Sequence, residues 1–320
     1  MISGDILRMD VPHRETIGIR GFLFGRQSDQ RTCAIVGSTR GNEVQQAFIC
    51  ATVVRRLTDL ERKGALTPGK SILVIPCANP YAMNVLSRFW PADNTDINRQ
   101  FPGNPEGETT QRIAAGIMRV VSTYRHGVQL SSFYQPGDFL PHVRITRVGQ
   151  ISDEGLAMAK DFGLPYALMR EASPIDATML NYAWQIAGTH AFSLYSRATD
   201  RIDERSAFEV ADAVIRFLVA REALVLPTGE TVAKGQDTAI LFDHDLVEVR
   251  CENTAGYLVS HVQAGEHVSK GAELAQVRDA FDARILETLY SPVSGRIFFM
   301  SREPLASQHM VIFRIAPDTM

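Results

Sequence analysis

The sequence predicts an α/β protein in which a mainly parallel or mixed sheet carries helices on both faces and an all-β domain follows. Over the first 225 residues, short apolar runs typical of buried strands alternate with longer segments whose apolar residues recur at helical spacing. From about Val225 the helical spacing disappears, and short β-type runs separated by turns continue to Pro317. We therefore expect two domains, residues 1–225 and residues 226–320.

The elements of the first domain follow from apolar spacing. Five runs are interpreted as strands: residues 16–24, 33–36, 71–75, 127–130 and 142–145. Three segments are interpreted as amphipathic helices: residues 44–62, 108–124 and 206–218. In the last of these, Val210, Val214 and Leu218 recur every four residues, which places them on one helix face. Alternation of this kind favours a sheet that is covered on both sides.

The second domain shows a weak internal repeat. The run Ala255-Gly-Tyr-Leu is similar to Ser294-Gly-Arg-Ile, and residues 268–277 share their apolar pattern with residues 305–315. Two similar halves predict a small quasi-symmetric barrel or sandwich. Residues 264–275 (AGEHVSKGAELA) resemble biotinyl/lipoyl-type barrel-sandwich domains. That resemblance implies a modified lysine on the hairpin between the halves, but residues 278–291 contain no lysine. We therefore expect a packing or assembly module.

Composition excludes several function classes. The chain of 320 residues has 33 Lys and Arg against 36 Asp and Glu, a net charge of −3, which gives no electrostatic reason to bind nucleic acid or an anionic membrane. No apolar run approaches the ~20 residues needed to cross a bilayer. Charged residues interrupt the N-terminal segment where a signal peptide would be apolar, and the four scattered cysteines suit a reducing compartment. We expect a cytoplasmic protein. Its oligomeric state is open, with a homo-oligomer among the alternatives.

Three polar segments are candidates for a functional site. Residues 37–43 (GSTRGNE) form a turn between an apolar strand and a helix, where α/β sheets commonly bind ligands. Residues 78–103 form a long loop rich in Asp, Asn and Arg, and loops of this length in a domain are usually functional. Residues 129–142 follow a β-type run.

These segments resemble motifs of the succinylglutamate desuccinylase/aspartoacylase family, whose fold is that of the zinc carboxypeptidases. The matching motifs are the GxxxGNE turn, the ANPxA strand end, the RxxPxDxxDxNRxFPG loop and a DFxPH element, and residues 96–103 (DINRQFPG) are the most specific. The resemblance implies hydrolysis of the amide of an N-acyl amino acid. It also implies one zinc ion, held by the His and Glu of an HGxE turn and the His of a DLHS strand end.

The sequence departs from this family pattern at the residues that carry the chemistry. Arg40 stands at the position of the first His ligand, although Glu43 is retained as a metal ligand. Ser131 stands at the position of the second His ligand, and Tyr195 replaces the glutamate that acts as general base in a TxExG strand. Two of three zinc ligands and the base are therefore absent together. A serine hydroxyl is a poor zinc ligand beside imidazole.

The Asp-rich loop keeps the residues that the resemblance assigns to substrate binding, Arg88, Asn98 and Arg99. An arginine fork suits a substrate carboxylate. The alternative is that Asp93, Asp96, Asn98 and Arg99 only form a self-contained hydrogen-bonded turn.

Arg40 has two interpretations of its own. As a permanently charged guanidinium three residues from Glu43, it can occupy the vacated cation site and compensate the buried carboxylate. Alternatively, Arg40 points to solvent and Glu43 only caps the following helix.

We predict a diverged family member that binds a small carboxylate or N-acyl amino acid, with zinc hydrolysis impaired or lost. Whether the chain is an enzyme stays open. One alternative is an active zinc-dependent deacylase that combines Glu43 with ligands in a rearranged site. A structural scaffold organised by the β domain is a third alternative.

Overall fold

The structure is a computed structural model that describes residues 1–10, 16–133, 136–149 and 153–318. Its strands are β1 (Ile2–Asp10), β2 (Thr16–Phe24), β3 (Gln30–Val36), β4 (Lys70–Ile75), β5 (His126–Ser131), β6 (Gly137–Phe139), β7 (His142–Arg147), β8 (Tyr166–Glu171), β9 (His190–Tyr195), β10 (Ala239–Phe242), β11 (Val247–Arg250), β12 (Gly256–Ser260), β13 (His267–Val268), β14 (Glu273–Arg278), β15 (Ile285–Tyr290), β16 (Gly295–Ser301), β17 (Leu305–Ala306) and β18 (Val311–Pro317). Its α-helices are α1 (Val44–Arg62), α2 (Pro80–Met83), α3 (Thr109–Val121), α4 (Asp153–Lys160), α5 (Leu180–Ile186) and α6 (Glu204–Ala220).

The large sheet has nine strands in the order β1-β2-β4-β3-β5-β9-β7-β8-β10. Its central strands β4, β3, β5 and β9 run parallel, whereas β2 joins β4 and β7 joins β9 in antiparallel pairs. The predicted mixed sheet is therefore confirmed. The central strands are almost completely buried, as the continuous apolar runs of β3 and β4 predict for a sheet covered on both faces.

Helices cover both faces of this sheet. On one face, α1, α4 and α6 bury Ile49, Met158 and Val214 against the strands. On the other face, α3 and α5 bury Ile117 and Trp184. Apolar residues at helical spacing produce this packing because one stripe of each helix faces the sheet.

The C-terminal part contains two antiparallel sheets. One has the order β11-β18-β16-β13, with β6 also pairing with β16, and the other has the order β15-β14-β12-β17. The repeat predicted from the sequence corresponds to β12, β13 and β14 in one half and β16, β17 and β18 in the other. The lysine-free segment of residues 278–291 includes the turn between β14 and β15.

Strands cross the division that the sequence predicts at residue 225. β10 lies after that position but pairs with β8 in the large sheet, and β6 lies before it but pairs with β16. The division into residues 1–225 and 226–320 itself stays a prediction. In the part of the chain that the structure describes, no helix is long and apolar enough to cross a membrane.

Candidate functional site

The ends of three parallel strands meet at one edge of the large sheet. β3, β5 and β9 are neighbours, and their register pairs Val36 with Gln129 and Ser131 with Tyr195. The turn that follows β3 and the last residues of β5 and β9 therefore share one crevice, which is where α/β sheets place ligand sites.

The turn after β3 depends on two glycines. A Cβ atom on Gly37 would lie 2.3 Å from the carbonyl oxygen of Pro76, and one on Gly41 would lie 2.2 Å from the carbonyl carbon of Ala82. Any larger residue would push the turn away from these neighbouring main-chain segments. The turn delivers Glu43 to the start of α1, where its side chain makes no capping hydrogen bond. The carboxylate is therefore available for contacts across the crevice.

Four donors surround the Glu43 carboxylate, which is 1% exposed. The Arg40 main-chain N–H and the Thr39 hydroxyl donate to Oε2, at 3.0 and 3.3 Å. Arg40 Nη1 and the Ser132 hydroxyl donate to Oε1, at 3.2 and 2.6 Å. The Arg40 side chain is itself buried, so this is an ion pair away from solvent. The alternative in which Arg40 points to solvent and Glu43 only caps the following helix is wrong, because Arg40 is buried and Glu43, although it is the N-cap residue of α1, directs its carboxylate to these four donors.

A second carboxylate, that of Asp96, faces the same guanidinium. Arg40 Nε donates to Asp96 Oδ2 at 2.9 Å, and Arg88 Nη2 donates to the same oxygen at 3.2 Å. Burial alone would lower the pKa of Arg40, but the negative charges of Glu43 and Asp96 outweigh it and raise that pKa. Arg40 is therefore a fixed positive charge between two buried carboxylates.

The Asp-rich loop combines a hydrogen-bonded turn with this charge cluster. Asp96 Oδ1 accepts the Asn98 main-chain N–H at 2.9 Å and begins a short 3-10 helix. Asp93 accepts the Thr95 main-chain N–H at 3.1 Å and the Thr110 hydroxyl at 2.9 Å. The turn interpretation therefore fits Asp93 and one oxygen of Asp96, whereas the other oxygen of Asp96 binds arginine.

Asn98 and Arg99 play different structural parts. Asn98 Oδ1 accepts Gln129 Nε2 and the Leu180 main-chain N–H, both at 3.2 Å, and so connects the loop to β5 and α5. Arg99 is half-buried, and its Nη1 donates to the Asn98 carbonyl at 3.3 Å. Burial lowers the pKa of Arg99, and repulsion from Arg40 lowers it further. Among the described residues Arg99 forms no ion pair, so it is the cation of the cluster most available to an anion.

Tyr195, which the sequence resemblance predicts at the position of the family base, lies in an aromatic stack. Its ring is parallel to that of His142 at 4.7 Å, and the Arg144 guanidinium carbon lies 4.2 Å from the ring centre. Burial lowers the pKa of His142 to about 3 and so keeps its ring neutral. Tyr195 is 5% exposed. A phenol held in this way does not supply the carboxylate that activates water in the family mechanism.

The described residues do not fit the zinc site that the resemblance implies. Among them, no group of three or more His, Cys, Asp or Glu side chains could hold a metal ion. Both oxygens of Glu43 are occupied by donors, one of them the Arg40 guanidinium, which cannot ligate a metal. Ser131 contributes its main-chain oxygen to Gln46 Nε2 at 3.2 Å.

The nearby histidines do not replace the missing ligands. His126 and His190 occupy the first positions of β5 and β9, at the opposite end of the strands from Glu43. His126 Nδ1 is 3.0 Å from the Thr32 carbonyl, and its ring stacks on that of His190. His142 is fully buried, with Nδ1 2.8 Å from the Leu140 carbonyl.

Sequence reasoning missed the part that Ser132, Thr39 and Arg144 play at this edge. The family template draws attention to Ser131, but the neighbouring Ser132 is the one that binds Glu43. The sequence offered a reason to consider Ser132, because successive residues at a strand end point to opposite sides and Ser131 and Ser132 therefore contact different groups. Arg144 gave no such signal, since its contact with Tyr195 depends on the antiparallel register of β7 and β9.

Solved structures place this fold in one class. A succinylglutamate desuccinylase from Silicibacter sp. TM1040 superposes with a TM-score of 0.80 at 18% identity, covering 98% of this chain and 94% of that one. A product-bound structure of the ectoine utilization protein EutE from Ruegeria pomeroyi gives 0.81 at 19% identity, with the same coverage. At these identities the likeness shows the fold alone. The fold is therefore an α/β arrangement with further antiparallel β-sheets at the C-terminal end, shared with these two proteins.

The family model of the succinylglutamate desuccinylase/aspartoacylase catalytic domain matches residues 29–221, and the chain belongs to this family. Its members are deacylases of N-acyl amino acids that generally depend on zinc. The N-α-acetyl-L-2,4-diaminobutyric acid deacetylase of Halomonas elongata is 26% identical over 147 residues. That alignment covers 45% of this chain and 41% of the deacetylase, so it spans less than half of either.

Proposed function

We propose that this chain is a diverged family member that binds a small carboxylate or N-acyl amino acid and has lost zinc-dependent hydrolysis. The observation that carries the proposal is the Arg40 guanidinium, which is ion-paired to both Glu43 and Asp96 inside the crevice. A hydrolytic zinc needs three protein ligands and an open position for water. Arg40 instead gives the crevice a positive charge that is part of the protein, so it does not dissociate as a metal ion does, and it does not activate water.

The charge of the cluster supports an anionic ligand. Arg40 and Arg88 form ion pairs with Glu43 and Asp96, and Arg99 interacts electrostatically with Asp96 and Arg40, so three positive charges stand against two negative ones. Arg99 is the member without an ion pair among the described residues. A planar guanidinium binds a carboxylate through two parallel hydrogen bonds. In this proposal the crevice therefore keeps the arginines that bind the carboxylate of a deacylase substrate, and it lacks the zinc ligands and the base that hydrolyse the amide.

Metal content tests the first half of the proposal. Full-length protein is incubated with excess zinc, freed of unbound metal by gel filtration and analysed for zinc, and turnover of a panel of N-acetyl amino acids is measured on the same sample. We expect zinc far below one ion per chain and no turnover. The triple variant Arg40→His/Ser131→His/Tyr195→Glu should gain about one zinc per chain, because it restores three ligands and the base.

The single variant Arg40→His is the matched control, since it removes the guanidinium but leaves the ligand set incomplete. Stoichiometric zinc in the unchanged protein that disappears in Glu43→Gln would contradict the proposal and favour an active hydrolase with a rearranged site.

Small carboxylates should raise the melting temperature of the unchanged protein, and Arg99→Ala should remove that effect. A protein that responds to no carboxylate would favour the scaffold alternative.

A further inference from the structure

Arg144 is a buried cation with no acidic partner among the described residues. It lies in the middle of β7, is 9% exposed, and its Nε is buried without a hydrogen-bond acceptor. Its one described contact of a favourable kind is with the Tyr195 ring, at 4.2 Å. A cation–π contact compensates only part of what a guanidinium loses when it leaves water.

The charged groups around Arg144 are already paired with each other. Asp243, an acidic group whose charge acts on Arg144, accepts Arg314 Nη1 at 3.0 Å, and the nearby Arg170 is bound to Asp176. Burial lowers the pKa of Arg144, yet an arginine stays protonated at any ordinary pH. The positive charge therefore remains in the protein interior without a counter-charge of its own.

The sheet register aligns Arg144 across β7, β9 and β5 with Gln129, which lies at the crevice where the parallel strands end. We call the aligned residues Arg144, Ser193 and Gln129 a row. Arg144 pairs with Ser193 on β9, and Ser193 pairs with Gln129 on β5. Paired residues of neighbouring strands point to the same face, and each step across the sheet is about 5 Å. Arg144 is thus about 10 Å from Gln129, whose amide binds Asn98 beside Arg99. The small side chain of Ser193 lies between the two ends of this row.

A second unpartnered donor approaches from α5, which covers this face. Asn181 is 5% exposed, and its Nδ2 is buried without an acceptor. Its Oδ1 accepts Gln185 Nε2 at 2.9 Å, and the same Nε2 donates to the Thr146 carbonyl at 2.9 Å, two residues beyond Arg144. The Asn181 amide is therefore fixed close to β7 with its N–H groups unused. Each of these buried donors needs an acceptor that the described residues do not supply, and a ligand carboxylate can supply one to both.

We propose that Arg144 and Asn181 bind one carboxylate of a dicarboxylate ligand whose second carboxylate binds Arg99. This inference rests on the proposed function, because it assigns both ends of the ligand within the same crevice. A ligand with two carboxylates neutralises the excess charge of the Arg40 cluster and the charge of Arg144 together. The distance of about 10 Å along the row suits a short chain with a carboxylate near each end. Tyr195 would lie beside the carboxylate that Arg144 binds.

Matched probes test the second carboxylate. Calorimetric titrations with glutarate and with pentanoate compare five-carbon chains that carry two carboxylates or one. We expect the unchanged full-length protein to prefer glutarate by about tenfold or more, the difference that one charge-assisted carboxylate contact supplies. Arg144→Gln should abolish the preference by weakening glutarate alone, and Arg144→Lys should keep part of it. Arg147→Gln, on the same strand but in a partly exposed pair with Glu171, should keep all of it.

The melting temperature without ligand separates a binding role from a structural one. Since Arg144 is an uncompensated charge in the empty protein, Arg144→Gln should melt at the same temperature or higher while losing the response to glutarate. If Arg144→Gln melts lower and keeps the glutarate preference, Arg144 is structural and this inference is wrong, although the proposed function survives. If the unchanged protein binds neither probe, the inference is wrong, and the proposed function fails with it only when N-acyl amino acids also leave the melting temperature unchanged. Equal binding of both probes by the unchanged protein overturns the inference alone.

Discussion

The Arg40 guanidinium compensates the charge of a carboxylate, that of Glu43, which is buried in the protein interior. Glu43 is inaccessible to solvent, and an isolated carboxylate in such a place would lose its hydration without compensation. Arg40 supplies the opposite charge, while Thr39 and Ser132 satisfy the remaining acceptor sites. Protein groups alone therefore satisfy the Glu43 carboxylate. A zinc ligand, in contrast, must keep an oxygen available for the metal.

Removing the guanidinium should destabilise the protein severely. Arg40→Met leaves Glu43 without a counter-charge and Asp96 with Arg88 alone, so we expect the free energy of unfolding to fall by about 3–5 kcal/mol. Urea denaturation followed by circular dichroism measures this loss. The double variant Arg40→Met/Glu43→Gln should recover part of it, because the second change removes the unpaired charge.

Arg62→Met is the matched control for this prediction. Arg62 forms an ion pair with Asp59, but both side chains are largely exposed, so the loss should stay within about 0.5 kcal/mol. A loss of similar size in Arg40→Met would mean that the Arg40 pair does not compensate a buried charge, and the proposed replacement of the metal would lose its physical basis.

At the scale of elements, one side-chain oxygen connects the Asp-rich loop to two other elements, β5 and α5. Asn98 Oδ1 accepts hydrogen bonds from Gln129 on β5 and from the first residue of α5. Since Arg99 follows in the same 3-10 turn, this oxygen also fixes the position of the guanidinium that we assign to ligand binding. The loop therefore behaves as part of the sheet edge, although it lies far from β5 in the sequence.

Asn98→Ala should loosen this connection. It leaves two buried donors without an acceptor, so we expect a loss of about 2–4 kcal/mol in stability. Hydrogen exchange should become faster at the start of α5 and in the 3-10 turn, while the distant α6 stays protected. Asn104→Ala changes an exposed turn residue directly after this loop and should leave exchange in α5 unchanged. Unchanged exchange in Asn98→Ala would show that the loop is anchored by other contacts.

The sequence predicted long elements well and short ones poorly. The predicted limits of β2 and α1, at residues 16–24 and 44–62, agree with the structure because their apolar spacing extends over many residues. α5 has seven residues and β10 has four, which is too few for any period to be recognised. β1 was not predicted because it is largely exposed at the sheet edge and lacks an apolar run.

The site could be predicted only where its residues lie within one motif. Arg40, Glu43, Asn98 and Arg99 belong to motifs that the sequence displays as contiguous segments. The approach of Asp96 to Arg40 and of Arg144 to Tyr195 brings together residues about fifty apart in the chain, and it depends on loop conformation and strand register. Neither is encoded in the spacing of a single segment.

At the scale of the whole molecule, the two parts of the chain are joined by exchanged strands and a shared apolar core. β10 extends the large sheet, β6 extends a C-terminal sheet, and an aromatic cluster lies where the two parts meet. In this cluster Phe298 from β16 packs on His142 from β7 and on Phe139 from β6. Separate unfolding of either part would break pairing in both, which favours a single cooperative transition.

Differential scanning calorimetry of the full chain tests this coupling. Phe298 is completely buried, so Phe298→Ala should lower stability by about 3–5 kcal/mol and move the whole transition to lower temperature without splitting it. Phe281→Ala, at a side chain that is 99% exposed, should leave the transition where it is. Because Phe298 contacts the strand that carries Arg144, a split transition in which only the C-terminal part is lost would mean that the crevice does not depend on the β domain.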